Sequence, residues 1–293
     1  MTDHLLLRGA PLRKKILNEV GAKLRELEKR HVIGRLVSIC IGQNDGASIY
    51  IRNQMRAAKK VGIPFEKQFW HGNISQGDCK ERIAALNDDS QVVGVILQRP
   101  TPEHINLRSL QSAIHPLKDV EGMNPASIGN IVYNDLALAP CTAAASIELL
   151  RQTGLRLEGL EVVMIGHSEI VGKPVAFMLM AEGATVTVCH HLTRSLAAHS
   201  RQADVVIVAV GKPKLIRADM IKPGAAVIDI GINQVVDENG NVTIVGDVDT
   251  KGVLEVASWV TPVPGGVGPV TVAMLMRNTL DAFNLQIKNG WVS

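Results

Sequence analysis

Val162-Val163-Met164-Ile165-Gly166-His167-Ser168-Glu169-Ile170-Val171-Gly172-Lys173-Pro174 reads as strand, glycine turn and helix start. Four consecutive apolar residues suit a strand buried on both faces, and Gly166 permits a turn in which backbone N–H groups approach an anion closely. A helix opening between Ser168 and Pro174 aims its unpaired amides and positive dipole end at that anion, with Pro accepted in the first turn. The glycines do not spell Gly-x-Gly-x-x-Gly, so an ordinary strand-to-helix connection gives the same pattern. The chain beyond Pro174 decides between the two. Ala184 to Val188, a stretch within Ala203 to Val210, and Ala225 to Ile230 are three further short strands, and helix-length segments separate the first three of the four. The pattern predicts an α/β fold with a Rossmann-type, doubly wound parallel sheet. Its ligand lies beyond the carboxyl ends of the strands, where Gly166, Cys189-His190-His191, Gly211 and Gly231 gather. A dinucleotide is the expected occupant.

Length and composition exclude other classes. A chain of 293 residues suits two domains that each bury a core. With 46% hydrophobic and 20% charged residues and no long polar tract, it reads as a soluble globular protein. No run of apolar residues is long enough for a membrane span and the N-terminus lacks the sections of a secretory signal, so a cytoplasmic location is expected. A formal charge of +3 with only four Phe, three Trp and two Tyr speaks against nucleic acid as a partner. Cys40, Cys79, Cys141 and Cys189 are scattered without metal-like spacing, which predicts reduced thiols and no metal.

Upstream of the glycine turn, Pro11 to Arg30 is an amphipathic helix, Leu36 to Ile41 a strand, and Gly42-Gln43-Asn44-Asp45-Gly46 a loop into a helix carrying Tyr50 and Gln54. Four residues apart, these two share a face and can enter one cleft; equally, Tyr50 can be a half-buried packing residue. Phe65 to Trp70 is a strand, Ser75 with Asp78 resembles a capping box for a helix to Leu86, and Val92 to Leu97 is a buried strand. It ends at Gln98, which is either solvent-exposed or a ligand contact. Lys118-Asp119-Val120-Glu121-Gly122 is a charged turn able to read a polar heterocycle, though such runs are often only turns. Pro140-Cys141-Thr142 marks the crossing into the dinucleotide-type half, with Thr142 as N-cap of a helix through Arg151. Thr261 to Thr271 packs three glycines and three prolines into one irregular turn, and Val272 to about Ile287 is a helix that returns to the first half. The expected domains are therefore residues 1–140 together with 271–293 for the substrate, and residues 141–270 for the cofactor.

The residues Gly166 to Pro174, Pro262-Val263-Pro264-Gly265-Gly266-Val267-Gly268-Pro269, Lys118 to Gly122, Tyr50, Gln98 and Pro140-Cys141-Thr142 together resemble the bifunctional methylenetetrahydrofolate dehydrogenase/cyclohydrolase family over nearly the whole chain. The resemblance implies a folate cleft between two α/β domains, the smaller one for substrate, with a nicotinamide cofactor on the second, no metal, and a homodimer built through the cofactor domain. It implies that Tyr50 packs on the pterin or its aryl extension, that Gln98 hydrogen-bonds in the cleft, and that Glu121 accepts from the pterin's amino and ring N–H groups. Pro264, Gly265 and Gly266 join them on the substrate side. The cofactor side falls to Gly166, His167, Ser168, Ile170, Val171, Gly172, His191, Arg194, Gly211, Ile232 and Thr271.

The departures gather on the substrate side. Gln54 stands where the family has lysine, Glu121 where it has aspartate, Ala143 and Ala144 where it has proline and glycine, and Ser127 where it usually has asparagine. Oxidation of a methylene-tetrahydrofolate to methenyl-tetrahydrofolate is expected to survive, because hydride transfer needs mainly proximity and orientation. The cyclohydrolase step is expected to be weak, because an amide at position 54 cannot move a proton. A dehydrogenase on a modified folate-like carrier, and a catalytically silent folate-binding paralogue, are the alternatives. NADP is expected over NAD: no acidic residue ends the second strand of the cofactor half, whereas His167, His191 and Arg194 can donate to a ribose phosphate. Those histidines can also be plain surface residues.

Overall fold

The computed structural model describes residues 5–31, 33–42, 47–236 and 240–291. Past Gly42, the expected 42–46 loop lies outside the described residues. The elements in chain order are α1 (Gly9–Glu28), β1 (Arg35–Ile41), α2 (Ala47–Val61), β2 (Phe65–Trp70), α3 (Gln76–Asp88), β3 (Val92–Leu97), α4 (Leu107–Ala113), α5 (Pro125–Val132) and α6 (Cys141–Arg151). They continue with β4 (Glu161–Ile165), α7 (Gly172–Ala181), β5 (Thr185–Cys189), α8 (Leu196–Ser200), β6 (Val205–Val208), β7 (Ala226–Asp229), β8 (Asn233–Val236), β9 (Val242–Val245), α9 (Thr250–Val253), β10 (Trp259–Val260) and α10 (Val267–Lys288).

Two compact units result, one of residues 14–141 and 272–293, the other of residues 1–13 and 142–271. The substrate-side unit is thus slightly the larger and not the smaller as expected, because the first residues join the other unit without offsetting the C-terminal helix. The divide falls inside α1, α6 and α10. The expected boundaries assign the first residues to the substrate half, but they sort with the dinucleotide-type half. Leu6 bridges to Val260, Leu7 N–H donates to the Val260 carbonyl at 2.9 Å, and Gly9 N–H to that of Gly265 at 2.8 Å. These are backbone contacts, to which amphipathic spacing is blind.

In the 14–141 unit, β2, β1 and β3 form a parallel sheet in that order. The central strand and β3 are buried almost throughout, as expected of strands covered on both faces, while β2 shows the partial exposure of an edge. Val37, Ile39, Val95 and Leu97 meet Ile83 of α3 and Leu110 of α4 in the core. Ser75 caps α3, its hydroxyl accepting from Asp78 N–H at 3.0 Å. The C-terminal helix closes the unit: Asn278 donates to the carbonyls of Val120 and Ala139, each at 2.9 Å, and Gln286 to those of Val93 and Leu117 at 2.7 and 2.8 Å.

In the other unit, five parallel strands run in the order β10-β7-β6-β4-β5, the reversal on either side of β4 that defines double winding. The strand β10 and the antiparallel pair β8–β9 extend what periodicity shows. Two helix starts differ from expectation. Cys141 opens α6, so Thr142 is inside the first turn and its carbonyl accepts from the Ser146 hydroxyl at 2.9 Å; α10 starts at Val267, within the irregular turn.

Candidate active site

The substrate-side residues come together in the 14–141 unit. Tyr50 and Gln54 sit one turn apart on α2; the ring is 43% exposed, whereas Gln54 is 1% exposed. Gln98, at the end of β3 and 5% exposed, donates from Nε2 to Gln54 Oε1 at 2.8 Å and to Ser38 Oγ of β1 at 2.9 Å. The floor of the site is thus two amides and a hydroxyl, none of which titrates. Sequence reading missed Ser38. Its only signal is a polar residue within an otherwise apolar strand.

The charged turn divides by role. Lys118 is 1% exposed and donates from Nζ to the carbonyls of Leu86 (2.9 Å), Asn87 (2.7 Å) and Asp89 (2.7 Å), which terminates α3 at the negative end of its dipole. Burial lowers its pKa, and Asp89 and Asp88 oppose that. Asp119 accepts at Oδ2 from Asn124 N–H (2.6 Å) and the Ser127 hydroxyl (2.7 Å), so Ser127 braces a turn. Ala143 and Ala144 are likewise buried packing positions.

Glu121 alone of the turn's charges turns to the site. Leu97 N–H donates to its Oε2 at 3.0 Å. Burial pushes the Glu121 carboxyl up to about 7, the Leu97 N–H holds it down, Asp119 raises it and Arg99 lowers it. Tyr50 is raised by burial of its hydroxyl end and then by Cys141 and Glu121, which places the three together. The Cys141 thiol, donating to the Val120 carbonyl at 3.3 Å, is pushed up by burial and by the same carboxylate, an inert setting for a thiol.

Pro264, Gly265 and Gly266 belong to the other unit, in the turn that receives Gly9. There the Gly166 turn is tightly built. Gly166 has φ +124, and a Cβ on it would fall 2.2 Å from the Ala209 carbonyl oxygen; one on Gly172 would fall 2.0 Å from the Gly166 carbonyl oxygen. Ser168 closes the start of α7, its hydroxyl accepting from Val171 N–H at 3.2 Å and Gly172 N–H at 3.5 Å. His167 and Ser168 are exposed, while Ile170 and Val171 are half-buried.

At the end of the neighbouring β5, the His167 and His190 rings lie 4.8 Å apart and those of His190 and His191 6.2 Å. His190, from the run already expected at this edge, stands between His167 and His191, the two named for the cofactor. Arg194, Gly211 and Ile232 are exposed. Thr271 is 7% exposed and its hydroxyl donates to the Val267 carbonyl at 3.3 Å, which turns it onto its own helix. Among the described residues no group of three or more His, Cys, Asp or Glu could hold a metal ion.

A doubly wound parallel unit with a glycine turn at β4, together with an α/β unit presenting a polar amide floor, defines the class of two-domain α/β enzymes that use a dinucleotide. Within that class the chain belongs to the tetrahydrofolate dehydrogenase/cyclohydrolase family: residues 7–121 match its catalytic domain and residues 140–287 its NAD(P)-binding domain. It is 66% identical to bifunctional protein FolD 3 of Roseobacter denitrificans over 99% of each chain. With bifunctional protein FolD of Rhodobacter capsulatus it shares 67%, over 99% of this chain and 97% of that one. The bifunctional enzyme FolD of Campylobacter jejuni superposes with a TM-score of 0.91 at 40% identity, over 96% of this chain and 99% of that one. The Trypanosoma brucei methylenetetrahydrofolate dehydrogenase-cyclohydrolase, solved with NADP and an inhibitor, gives 0.90 at 36% identity, over 97% and 98%.

Proposed function

We propose that this chain oxidises methylene-tetrahydrofolate to methenyl-tetrahydrofolate with NADP and opens the methenyl bridge only weakly. The observation that carries this reading is the buried Gln54–Gln98 hydrogen bond, which puts an amide where the family has a lysine. NADP, when bound, supplies the hydride acceptor. Gly166 and Gly172 leave room only for backbone in the turn that would hold it, and exposed His167, Ser168, His191 and Arg194 supply donors around that turn.

Tyr50 offers an exposed ring for the pterin, Gln98 a fixed amide, and Glu121 a carboxylate to accept from the pterin's N–H groups. This is orientation, which suffices for hydride transfer. Bridge opening asks more: the attacking water loses a proton and a ring nitrogen gains one. Gln54, Gln98 and Ser38 cannot exchange a proton near neutral pH, and Glu121, which does titrate there, is engaged with the pterin's N–H groups. The relatives at 66% and 67% identity bear the name bifunctional, which speaks for bridge opening here too; the proposed weakness of that step rests on Gln54 alone. The test monitors NADPH formation from methylene-tetrahydrofolate and the methenyl absorbance after it. Persistence of that absorbance supports the reading; its rapid decay overturns it.

The same proposal includes a homodimer through the dinucleotide-type unit, in the cytoplasm. The strand β5 is a sheet edge, and Val188, Leu192, Phe177 and Met180 on and beside it are exposed. Light scattering that gives the mass of two chains supports this; a monomer mass refutes it. No described helix is long and apolar enough to cross a membrane.

A further inference from the structure

Two fully buried carboxylates at the carboxyl edge of the five-stranded sheet have no part in the folate chemistry. Asp229 ends β7 and Asp247 lies just past β9, both 0% exposed. Asp247 Oδ2 accepts from the N–H groups of Val210 (2.7 Å) and Gly211 (2.9 Å), and its Oδ1 from Lys212 N–H (2.8 Å) and the Asn233 side-chain amide (2.9 Å). Asp229 accepts at Oδ1 from Gly231 N–H (2.9 Å) and Asp247 N–H (3.1 Å), and at Oδ2 from Val248 N–H (2.9 Å). The backbone is shaped around them: a Cβ on Gly231 would fall 2.2 Å from Asp247 Cγ, and one on Gly246 1.8 Å from Asp229 Oδ2. Burial raises the Asp229 carboxyl to about 7, its backbone donors opposing and Asp247 adding to the rise.

Three successive N–H groups converging on one anion make a nest, and in other proteins such a nest holds a ligand's phosphate. Here the protein fills it with its own carboxylate. None of the three amides after β6 is left for a ligand's phosphate, and two buried carboxylates beside the turn repel one. The outward face is open: Gly211 has φ +67 and nothing lies within 4 Å of where its Cβ would be. Strand β4, next to β6 in the sheet, carries the Gly166 turn, whose Val171 and Gly172 amides are met by the neutral Ser168 hydroxyl.

We propose that Asp247, braced by Asp229, is a positioning residue for the dinucleotide: by filling the nest after β6 it reserves that edge for the nicotinamide riboside end, which brings no phosphate into the nest and whose oxidised ring is a cation, and leaves the phosphates to the Gly166 turn. This rests on the NADP reading of the same unit. The test is calorimetry on the full chain with two ligands, NADP and adenosine 2′,5′-bisphosphate, which carries adenosine and two phosphates but no nicotinamide riboside.

Asp247→Asn, which turns an N–H toward other N–H groups, weakens NADP about tenfold, the cost of one lost charge-assisted hydrogen bond, and leaves the bisphosphate unchanged. Asn233→Ala, which removes one of the four donors to Asp247, gives a smaller loss with the same selectivity, and decides the matter alone if Asp247→Asn does not fold. Equal weakening of both ligands shows a general structural role and overturns the proposal, as does unchanged NADP affinity. Wild type that binds neither ligand overturns the NADP reading and the proposal with it.

Discussion

The two parallel sheets use their carboxyl edges in different ways. In the three-stranded sheet the site is made of side chains: Ser38 on β1, Gln98 beyond β3, and Glu121 bonded to Leu97. In the five-stranded sheet it is made of backbone: a glycine turn after β4 and turns after β6 and β7 pinned to Asp247 and Asp229. A side-chain site changes its chemistry when one residue changes type; a backbone site changes only when its shape does. That is why Gln54 and Glu121 alter what the first edge can do, while His167 and His191 at the second leave the glycine framework intact.

The largest expected effect tests the first half of that contrast. Gln54→Lys restores a titratable group beside Gln98, and methenyl-tetrahydrofolate decay should accelerate by roughly 100-fold to 10,000-fold, the usual worth of a positioned acid-base group. Stopped-flow absorbance reads it directly. Unchanged decay would mean that the amide floor does not limit hydrolysis.

Next is the division within the charged turn. Lys118→Met removes the ammonium that bonds the carbonyls of Leu86 and Asn87 and shares that of Asp89 with Val92 N–H, and stability should fall by about 3 kcal/mol in denaturant titration. The Michaelis constant for folate should hold. A changed folate constant with intact stability would return Lys118 to the site.

Glu121 separates the edges by pH. Its carboxyl, raised by burial to about 7, ionises as pH rises through neutrality, and only the carboxylate accepts both pterin N–H bonds. The folate constant should therefore improve about tenfold from pH 6 to 8 and be flat in Glu121→Gln. The stability sign is opposite. A carboxyl whose folded pKa lies above its usual 4.5 favours the folded state at low pH, and that contribution is lost as pH rises from about 4.5 to about 7. Melting curves of wild type and Glu121→Gln should converge below that window and separate above it, with the Gln variant higher.

The smallest effect belongs to the backbone-built edge. His167→Ala with His191→Ala should lower the preference for NADP over NAD several-fold in kcat/KM, each imidazole being one donor among several. Retained preference would move phosphate recognition to Arg194 and Ser168.

The sequence by itself determined most of the fold and part of the site. Short β-branched runs such as Val205–Val208 favour a strand buried on both faces over a helix, and their alternation with helices points to double winding. Gly166 and Gly172 announced a close approach, and Gln54 and Glu121, set against the family's lysine and aspartate, announced a changed substrate side. Local spacing carries that information because a helix face or a strand run is written within a few residues. Other features were decided only by tertiary structure. The Gln98 bond to Gln54 spans 44 residues and that to Ser38 spans 60; the Lys118 bonds to the end of α3 span about thirty; Asp247 reaches back to Val210 across 37. Whether a charged residue in a turn bonds a strand end beside the candidate site, as Glu121 does, or closes a helix, as Lys118 does, depends on which orphan carbonyls and amides the chain folds against it, and those partners come from elements that have no periodic relation to the residue itself.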